Sequence, residues 1–167
     1  MSERLTKSDI KKIEDEIQHR KLVVRQECLA AVKEARAHGD LSENFEYHAA
    51  KKDKNQNESR IRYLERMLKN AVVVEDQSKD DEVGLDKTVE LYFEEDDEVE
   101  TYKLVTSIRG SSIRGMISIE SPIGKAILRH KVGDRVLVKV QENSGYYVTI
   151  RSISSADSEE HDEIRRF

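Results

Sequence analysis

Two acidic residues that stand three positions apart are the side chains of this sequence best suited to do chemistry. Asp40 and Glu43 lie in the segment HGDLSENFEYHAA, residues 38–50. Carboxylates are preferred ligands of Mg²⁺, but the ion takes few of them from a protein and keeps waters or substrate phosphates. Two acids alone would hold it weakly. They would bind it well only where a second molecule supplies the remaining ligands.

The same spacing has a structural interpretation. Where a helix begins, an acid at the cap position and a glutamate three residues later form a capping box. Asp40 would then cap the following helix, and the Glu43 side chain would reach back to it. Negative charge is also favoured at a helix start. Spacing alone favours the capping box over the metal site.

Other candidate residues are less specific. A group of cations surrounds the acids: Lys33, Arg36, Lys51, Lys52 and Lys54. They form either a solvated helix face or a patch that meets RNA phosphates. His38 and His48 are too few for a closed metal site. Cys28 is the single cysteine, which excludes a disulfide framework and a cysteine-based zinc site.

Two long helices are expected to position the acids. The first spans residues 6–38 and has an apolar seam at Ile10, Ile13, Ile17, Val24, Cys28, Ala31 and Ala35. The second spans 41–74, with its seam at Tyr47, Ala50, Lys54, Asn57, Ile61, Leu64, Leu68 and Ala71. The short link predicts an antiparallel coiled coil over residues 1–75, with its tip near 39–44. Each arm would be roughly 45 Å long, and Asn57 is expected to fix the register.

The second half of the chain changes to a period of two. A charged linker is predicted at 76–84, followed by a sheet domain over 85–153. Strands are expected at 88–93, 100–108, 115–120, 135–140 and 146–153. A short helix is expected to begin with Ser121 as its cap and Pro122 as its first residue. Residues 154–167 are expected to form a disordered charged tail.

Composition limits the possible functions. Of 167 residues, 38% are charged and 37% hydrophobic, which indicates a chain with much helix and no single large core. There is no apolar run of membrane-spanning length, so a cytoplasmic protein without a membrane partner is expected. Residues 1–75 hold 16 Lys and Arg against 14 Asp and Glu, so the acidic excess lies in the second half. This distribution does not favour simple wrapping by nucleic acid.

Four segments together resemble a known family. EARAHGDLSENFEYHAAKK (34–52), ESRIRYLERML (58–68), ISIESPIGKAIL (117–128) and KVGDRVLVKV (131–140) are similar to the bacterial GreA/GreB transcript-cleavage factors, and nearer to GreA. The likeness extends over about residues 5–153. The tip segment is highly specific, and the strand segments are less so.

The resemblance implies an α+β protein, with an antiparallel coiled-coil hairpin and an FKBP-like antiparallel β-sheet domain with one short helix. It implies that Ser121 and Pro122 dock on RNA polymerase at the secondary channel. Asp40 and Glu43 would share a Mg²⁺ with the polymerase active site, and no cofactor would belong to the protein alone. Arg36 and Lys52 would face the nascent RNA 3′ end of a backtracked complex. The chain would be a monomer that is not itself an enzyme and has no small-molecule substrate.

Two alternatives stay open at this point. Related proteins with altered tips occlude the channel and inhibit the polymerase, although Asp40 and Glu43 are intact here. An FKBP-like fold also suggests a prolyl isomerase or chaperone, but fold does not establish function.

Overall fold

The computed structural model describes residues 2–39, 44–109, 115–155 and 164. The chain divides into a helical unit, which contains Ser8–Val72, and a sheet unit, which contains Arg4–Lys7 and Val73–Arg166. The long helices and the larger sheet are thus segregated along the chain, and the predicted α+β class is confirmed. Within the described ranges, every helix is too short or too polar to cross a membrane.

The helical unit is an antiparallel pair of arms. The first arm consists of α1 (Lys7–His19), a π-helical turn (Arg20–Val24) and α2 (Arg25–Ala37), and the second arm is α3 (Phe45–Lys69). Ion pairs join the arms along their length, among them Arg25 Nη2 to Glu58 Oε2 at 2.9 Å and Lys21 Nζ to Glu65 Oε1 at 2.8 Å. Lys21 precedes Arg25 in the first arm, whereas its partner Glu65 follows Glu58 in the second arm, so the arms run in opposite directions. The predicted hairpin is therefore confirmed.

The predicted limits of the second helix are wrong at both ends. The helix begins at Phe45 instead of residue 41, and it ends at Lys69 instead of residue 74. Residues Ala71–Val73 form strand β2, which pairs with β1 (Glu3–Leu5). Ala71 fits the helical spacing, but the β-branched residues after it prefer a strand when a partner strand is available. A three-residue partner is too short for sequence periodicity to reveal.

The inward-facing residues of the first arm also differ from the predicted seam. Ile13 and Ala35 are buried as expected, but Ala31 is exposed. Arg25 and Val32 are half-buried instead. The difference begins at the π-helical turn, which places one residue more in a turn than an α-helix does.

A charged cluster lies within the hairpin at Glu16. Its carboxylate accepts hydrogen bonds from Arg20 Nε at 2.7 Å and from Arg60 Nε at 2.8 Å. Arg60 is itself buried. Burial of Glu16 opposes its ionisation, but the bonds from Arg60 and Arg20 outweigh this and hold the pKa of Glu16 below its ordinary value.

We expect Glu16→Gln to destabilise the hairpin in a pH-dependent way. Because the pKa of Glu16 is lowered on folding, its contribution is present above the unfolded pKa of about 4.3 and is lost as pH falls through the lower folded value. At pH 7 the loss should be roughly 2 kcal/mol, since Arg60 keeps a buried charge with a weaker acceptor. Urea unfolding followed by circular dichroism at pH 7 and in acid measures it. Glu14→Gln, at an exposed position of α1, is the control. An equal loss at both pH values would contradict the assignment.

The sheet unit contains five strands: β3 (Lys87–Phe93), β4 (Glu98–Val105), β5 (Met116–Ser118), β6 (Arg135–Gln141) and β7 (Ser144–Ser155). Their order is β5-β4-β3-β7-β6. The pairs are antiparallel except β4 with β5, which is parallel. The sheet is therefore mixed, and the expectation of a purely antiparallel sheet is wrong. β5 pairs with the last three residues of β4, with Met116 opposite Lys103 and Ser118 opposite Val105.

The last strand is longer than predicted. β7 continues to Ser155, which pairs with Lys87, so residues 154 and 155 belong to the sheet and not to a tail. The rest of the expected tail, apart from residue 164, lies outside the described residues. The core of the unit is aliphatic and is formed by Val83, Val89, Leu91, Leu104, Ile127, Val136, Val138, Val148 and Ile150.

One ion pair of the sheet unit is buried. The guanidinium of Arg109, with no exposed side-chain surface, donates from Nη1 to Asp86 Oδ1 at 2.6 Å. Asp86 has a φ of +66°, a conformation that aspartate tolerates better than most residues. The pair joins the turn before β3 to the turn after β4, and it was not predicted from the sequence.

Candidate functional site

The frame of the hairpin tip is well defined on both sides of the predicted acids. α2 ends at Ala37, and Gly39 follows with a φ of +133°, which strongly favours glycine. The described chain resumes at Asn44. Asp40 and Glu43 fall in the range 40–43, outside the described residues. The structure describes the residues that flank this range, Gly39 and Asn44.

The cap of α3 is Asn44. Its side-chain Oδ1 accepts a hydrogen bond from the backbone N–H of Tyr47 at 3.1 Å. Asp40 is therefore not the cap of this helix, and the capping-box interpretation is wrong. Asp40, Ser42 and Asn44 are all good capping types within five residues, so the sequence does not decide which of them starts the helix. The two acids precede the helix, and its start does not require them as caps.

Two contacts connect the arms on either side of residues 40–43. Asn44 Nδ2 donates to the carbonyl of Ala35 at 2.7 Å. His38 Nδ1 lies 2.9 Å from Glu46 Oε2, and this hydrogen bond raises the pKa of His38 above its ordinary value. Both ends of the segment are thus fixed to the opposite arm. Sequence reasoning missed both contacts, because each joins residues eight or nine positions apart across a turn of unknown shape.

The predicted basic residues Arg36 and Lys52 have different surroundings in the described structure. The Arg36 guanidinium lies 5.6 Å from the centre of the Tyr47 ring. Its hydrogen bond to the phenol holds the pKa of Tyr47 below its ordinary value. Lys52 is exposed on α3 and lines a shallow groove of about 490 Å³ with His48, Lys51, Asn55, Gln56 and Ser59. Tyr47 therefore engages Arg36, whereas Lys52 presents its charge to solvent.

The second predicted site begins α4 (Pro122–Ile127) of the sheet unit. Ser121 Oγ accepts from the Gly124 N–H at 3.1 Å and donates to the Ser118 carbonyl at 2.6 Å. Pro122 is exposed at the first helical position. The predicted helix start is confirmed. A Cβ on Gly124 would lie 2.0 Å from the Ser118 carbonyl oxygen, so glycine is needed for this close packing. The result is a rigid, exposed corner.

No resident metal site was found among the described residues, where no group of three or more His, Cys, Asp and Glu side chains is arranged to hold an ion. The predicted donors are two carboxylates, Asp40 and Glu43. This number suits a hard cation whose other ligands come from elsewhere. The donor set therefore fits a shared ion and not a closed site of this chain.

Comparison with known proteins covers both units. Residues 3–73 match the family model described as the N-terminal domain of transcription elongation factors. Residues 77–155 match the model of the GreA/GreB C-terminal domain. The structure of GreA factor homolog 1 from Thermus thermophilus is 26% identical, with a TM-score of 0.43, over 93% of this chain and all of that one.

Two curated relatives of high similarity are both transcription elongation factors named GreA. Transcription elongation factor GreA of Thermoanaerobacter pseudethanolicus is 46% identical over 137 residues, which are 81% of this chain and 87% of that protein. The GreA of Macrococcus caseolyticus is 41% identical over 150 residues, 90% of this chain and 95% of that protein.

Proposed function

This chain belongs to the GreA/GreB family of transcription elongation factors, and on that premise we propose that it binds RNA polymerase and stimulates the polymerase to cleave backtracked nascent RNA. The main support is the frame of the tip. Asn44 caps α3, and the arms are joined on both sides of residues 40–43. Because Asn44 is the cap of the second arm, Asp40 and Glu43 would be available as ligands at the end of the hairpin.

The hairpin would enter the secondary channel of the polymerase and place the two acids at its active site. Asp40 and Glu43 would there hold a Mg²⁺ jointly with polymerase groups. When bound, such an ion lowers the pKa of a water and stabilises negative charge on the reacting oxygens of a phosphodiester. The acids would contribute negative charge and oxygen ligands, and they are flanked in the chain by Gly39 and by Asn44, the cap of α3.

Two basic residues near the tip, Arg36 and Lys52, would bind and orient the RNA. Lys52 is exposed and can approach RNA phosphates, and Arg36 is exposed next to the Tyr47 ring. We assign both to the nascent RNA 3′ end. The chain then supplies ligands and charge to a catalyst that is the polymerase itself. It acts as an accessory factor, in a monomeric state.

Docking is assigned to the corner of α4. Pro122 is exposed, and Ser121 is fixed by bonds to Gly124 and Ser118. A rigid corner loses little conformational entropy when a partner covers it.

Pro122→Arg should weaken polymerase binding about tenfold or more while the sheet unit stays folded. Arginine is acceptable at the first helical position, so α4 should survive, but the new charge would need to be desolvated in the interface. Binding to core polymerase can be measured by fluorescence anisotropy. Val132→Arg is the matched control, because Val132 is 56% exposed in a turn of the same unit. Equal affinity of Pro122→Arg and wild type would remove the docking assignment.

The direct test of the function is a cleavage assay on stalled, backtracked elongation complexes with labelled RNA. We expect the protein to release short 3′ fragments and to restore elongation from the new 3′ end. Binding that slows elongation without releasing fragments would instead favour a channel-occluding inhibitor. Absence of binding, together with catalysis of proline isomerisation in a peptide assay, would favour an isomerase.

A further inference from the structure

The first arm of the hairpin contains a slip in the phase of its inward-facing residues. Before the slip, the seam runs through positions 10, 13, 17, 20 and 24, and the adjacent positions 9, 12 and 16 are also buried or half-buried. After it the seam positions are 25, 28, 32 and 35, and the interleaved positions 27, 31 and 34 are exposed. Each series alternates steps of three and four, as a coiled-coil seam requires. Continued without a break, the first series would place positions 27, 31 and 34 in the seam. The observed seam positions 28, 32 and 35 each lie one residue later.

The second arm has no such slip. Its seam runs through positions 47, 50, 54, 57, 61, 64 and 68 in unbroken steps of three and four. The seams of the two arms therefore face each other along the whole hairpin only if the first arm accommodates one additional residue between its two series. Ile13 and Ala35, both buried, show this directly, because they are 22 residues apart and three heptads make 21.

The π-helical turn Arg20–Val24 is where the residue is absorbed. The N–H of Arg25 donates to the carbonyl of Arg20, five residues earlier, instead of to the carbonyl four residues earlier. The outer face of the turn carries exposed apolar side chains: Leu22 is 66% exposed and Val23 is 41% exposed. After the turn the α-helix resumes, and each seam position is one residue later in the sequence than in an uninterrupted helix.

Asn57 of α3 holds this turn from the opposite arm. Its side-chain Nδ2 donates to the Arg20 carbonyl at 3.3 Å, the same carbonyl that accepts the five-residue bond. In return, Arg20 Nη1 donates to Asn57 Oδ1 at 3.1 Å. Asn57 is only 4% exposed, so these bonds replace its lost contacts with water.

We propose that Asn57 and the π-helical turn Arg20–Val24 form a phase-setting element that orients the hairpin tip, and that Asn57 is a positioning residue for the reaction. This inference rests on the proposed function only where cleavage activity is the quantity measured. An uninterrupted helix through residues 20–25 would rotate all of α2 by about 100° relative to α3. Ala31 would then turn inward, and the tip acids would approach the polymerase from a different side.

Two length variants at the turn test the proposal with opposite expected outcomes. Deletion of the exposed Leu22 makes Arg20 and Arg25 four residues apart, so an ordinary α-helix then gives the correct phase. This variant should stimulate cleavage within about twofold of wild type. Insertion of one alanine between Leu22 and Val23 adds a residue that one π turn cannot absorb. It should lose stimulation about tenfold or more, because small displacements of reacting groups are costly.

Asn57→Leu tests the contact itself. Leucine is apolar and similar in size, so the hairpin should stay folded, but the Arg20 carbonyl loses its bond from the opposite arm. Stimulation should fall about tenfold with polymerase binding unchanged. Deletion of Leu22 in the Asn57→Leu background should restore it, since the deleted helix needs no π turn. Full activity of Asn57→Leu, or no rescue by the deletion, would overturn the role of Asn57.

A structural readout separates this proposal from the proposed function. Spin labels at the exposed positions Glu34 of α2 and Lys51 of α3, with Cys28 replaced by serine, report the relative rotation of the arms. Wild type and the Leu22 deletion should give the same distance distribution. The insertion should move the α2 label by up to about 8 Å, the chord of a 100° rotation on a helix about 10 Å wide. Equal distances in all three would overturn the phase claim even if wild type stimulates cleavage. If wild type does not stimulate cleavage, only the proposed function fails.

Discussion

Asp40→Asn and Glu43→Gln are each expected to reduce the stimulated rate of RNA cleavage about a hundredfold, while the protein still binds RNA polymerase. Each substitution removes one negative ligand of a hard cation and leaves a weaker amide oxygen. Metal stabilisation of the reacting oxygens contributes several kcal/mol, and a loss of about 3 kcal/mol corresponds to roughly a hundredfold in rate. Because Asn44 is the cap of α3, neither substitution should shorten that helix.

Two comparisons make this result specific. Glu34→Gln removes the same charge from an exposed position of α2 and should leave cleavage unchanged. Each tip variant, added in excess, should also compete with wild type for the polymerase and suppress cleavage. Near wild-type rates with both tip variants would mean that the acids have no role in the reaction.

The second large effect is expected in the sheet unit. Arg109→Met should lower the free energy of unfolding of this unit by about 3 kcal/mol, because it leaves the Asp86 carboxylate largely buried without its cation. Asp86→Asn in the same background should recover part of the loss, since it removes the negative charge that the Arg109 guanidinium balances in the wild type. Urea unfolding followed by tyrosine fluorescence is a suitable measurement, because four of the six tyrosines lie in the sheet unit.

An exposed ion pair provides the control for Arg109. Arg135 donates to Glu94 at 2.6 Å and is largely exposed. Arg135→Met removes the same groups and should leave the free energy of unfolding nearly unchanged, because solvent-exposed pairs contribute little to stability. Losses of similar size at both positions would show that burial of Arg109 is not what makes its pair important.

The sequence was a good guide where one signal dominated. The seam of α3 follows an unbroken three-four pattern, and its hairpin with the first arm was predicted correctly. Ser121 followed by Pro122 is a strong helix-start signal, and α4 begins there. These features depend on local chemistry and on one period, both of which are visible in a single sequence.

The first arm was less predictable because two phases fit its composition. Ala31 and Ala35 are both small and apolar, so an unbroken helix through Ala31 is as consistent with the pattern as the observed one. The π-helical turn is selected by Asn57, which is distant in sequence and belongs to the other arm. Only the tertiary structure brings this residue to the Arg20 carbonyl.

Competition between equivalent signals explains the errors at the tip and at the base of α3. Three good capping residues lie within 40–44, and the choice of Asn44 depends on its second bond, to the Ala35 carbonyl of the opposite arm. At the other end, Ala71 continues the helical spacing, but β2 forms because residues 3–5 are available as a partner. The parallel pairing of β4 with β5 is likewise a long-range choice that alternation of side chains does not encode.

The central claim, that Asp40 and Glu43 supply ligands to a shared Mg²⁺, is tested most directly by the Mg²⁺ dependence of cleavage. The cleavage rate of a backtracked complex should be measured across a Mg²⁺ titration with wild type, Asp40→Asn and Glu43→Gln, each at a saturating concentration. If the acids are ligands, wild type should reach half of its maximal rate at a Mg²⁺ concentration at least about tenfold lower than either variant does, since each lost ligand weakens the ion's binding. The same Mg²⁺ midpoint for all three proteins would contradict the account, whatever their maximal rates.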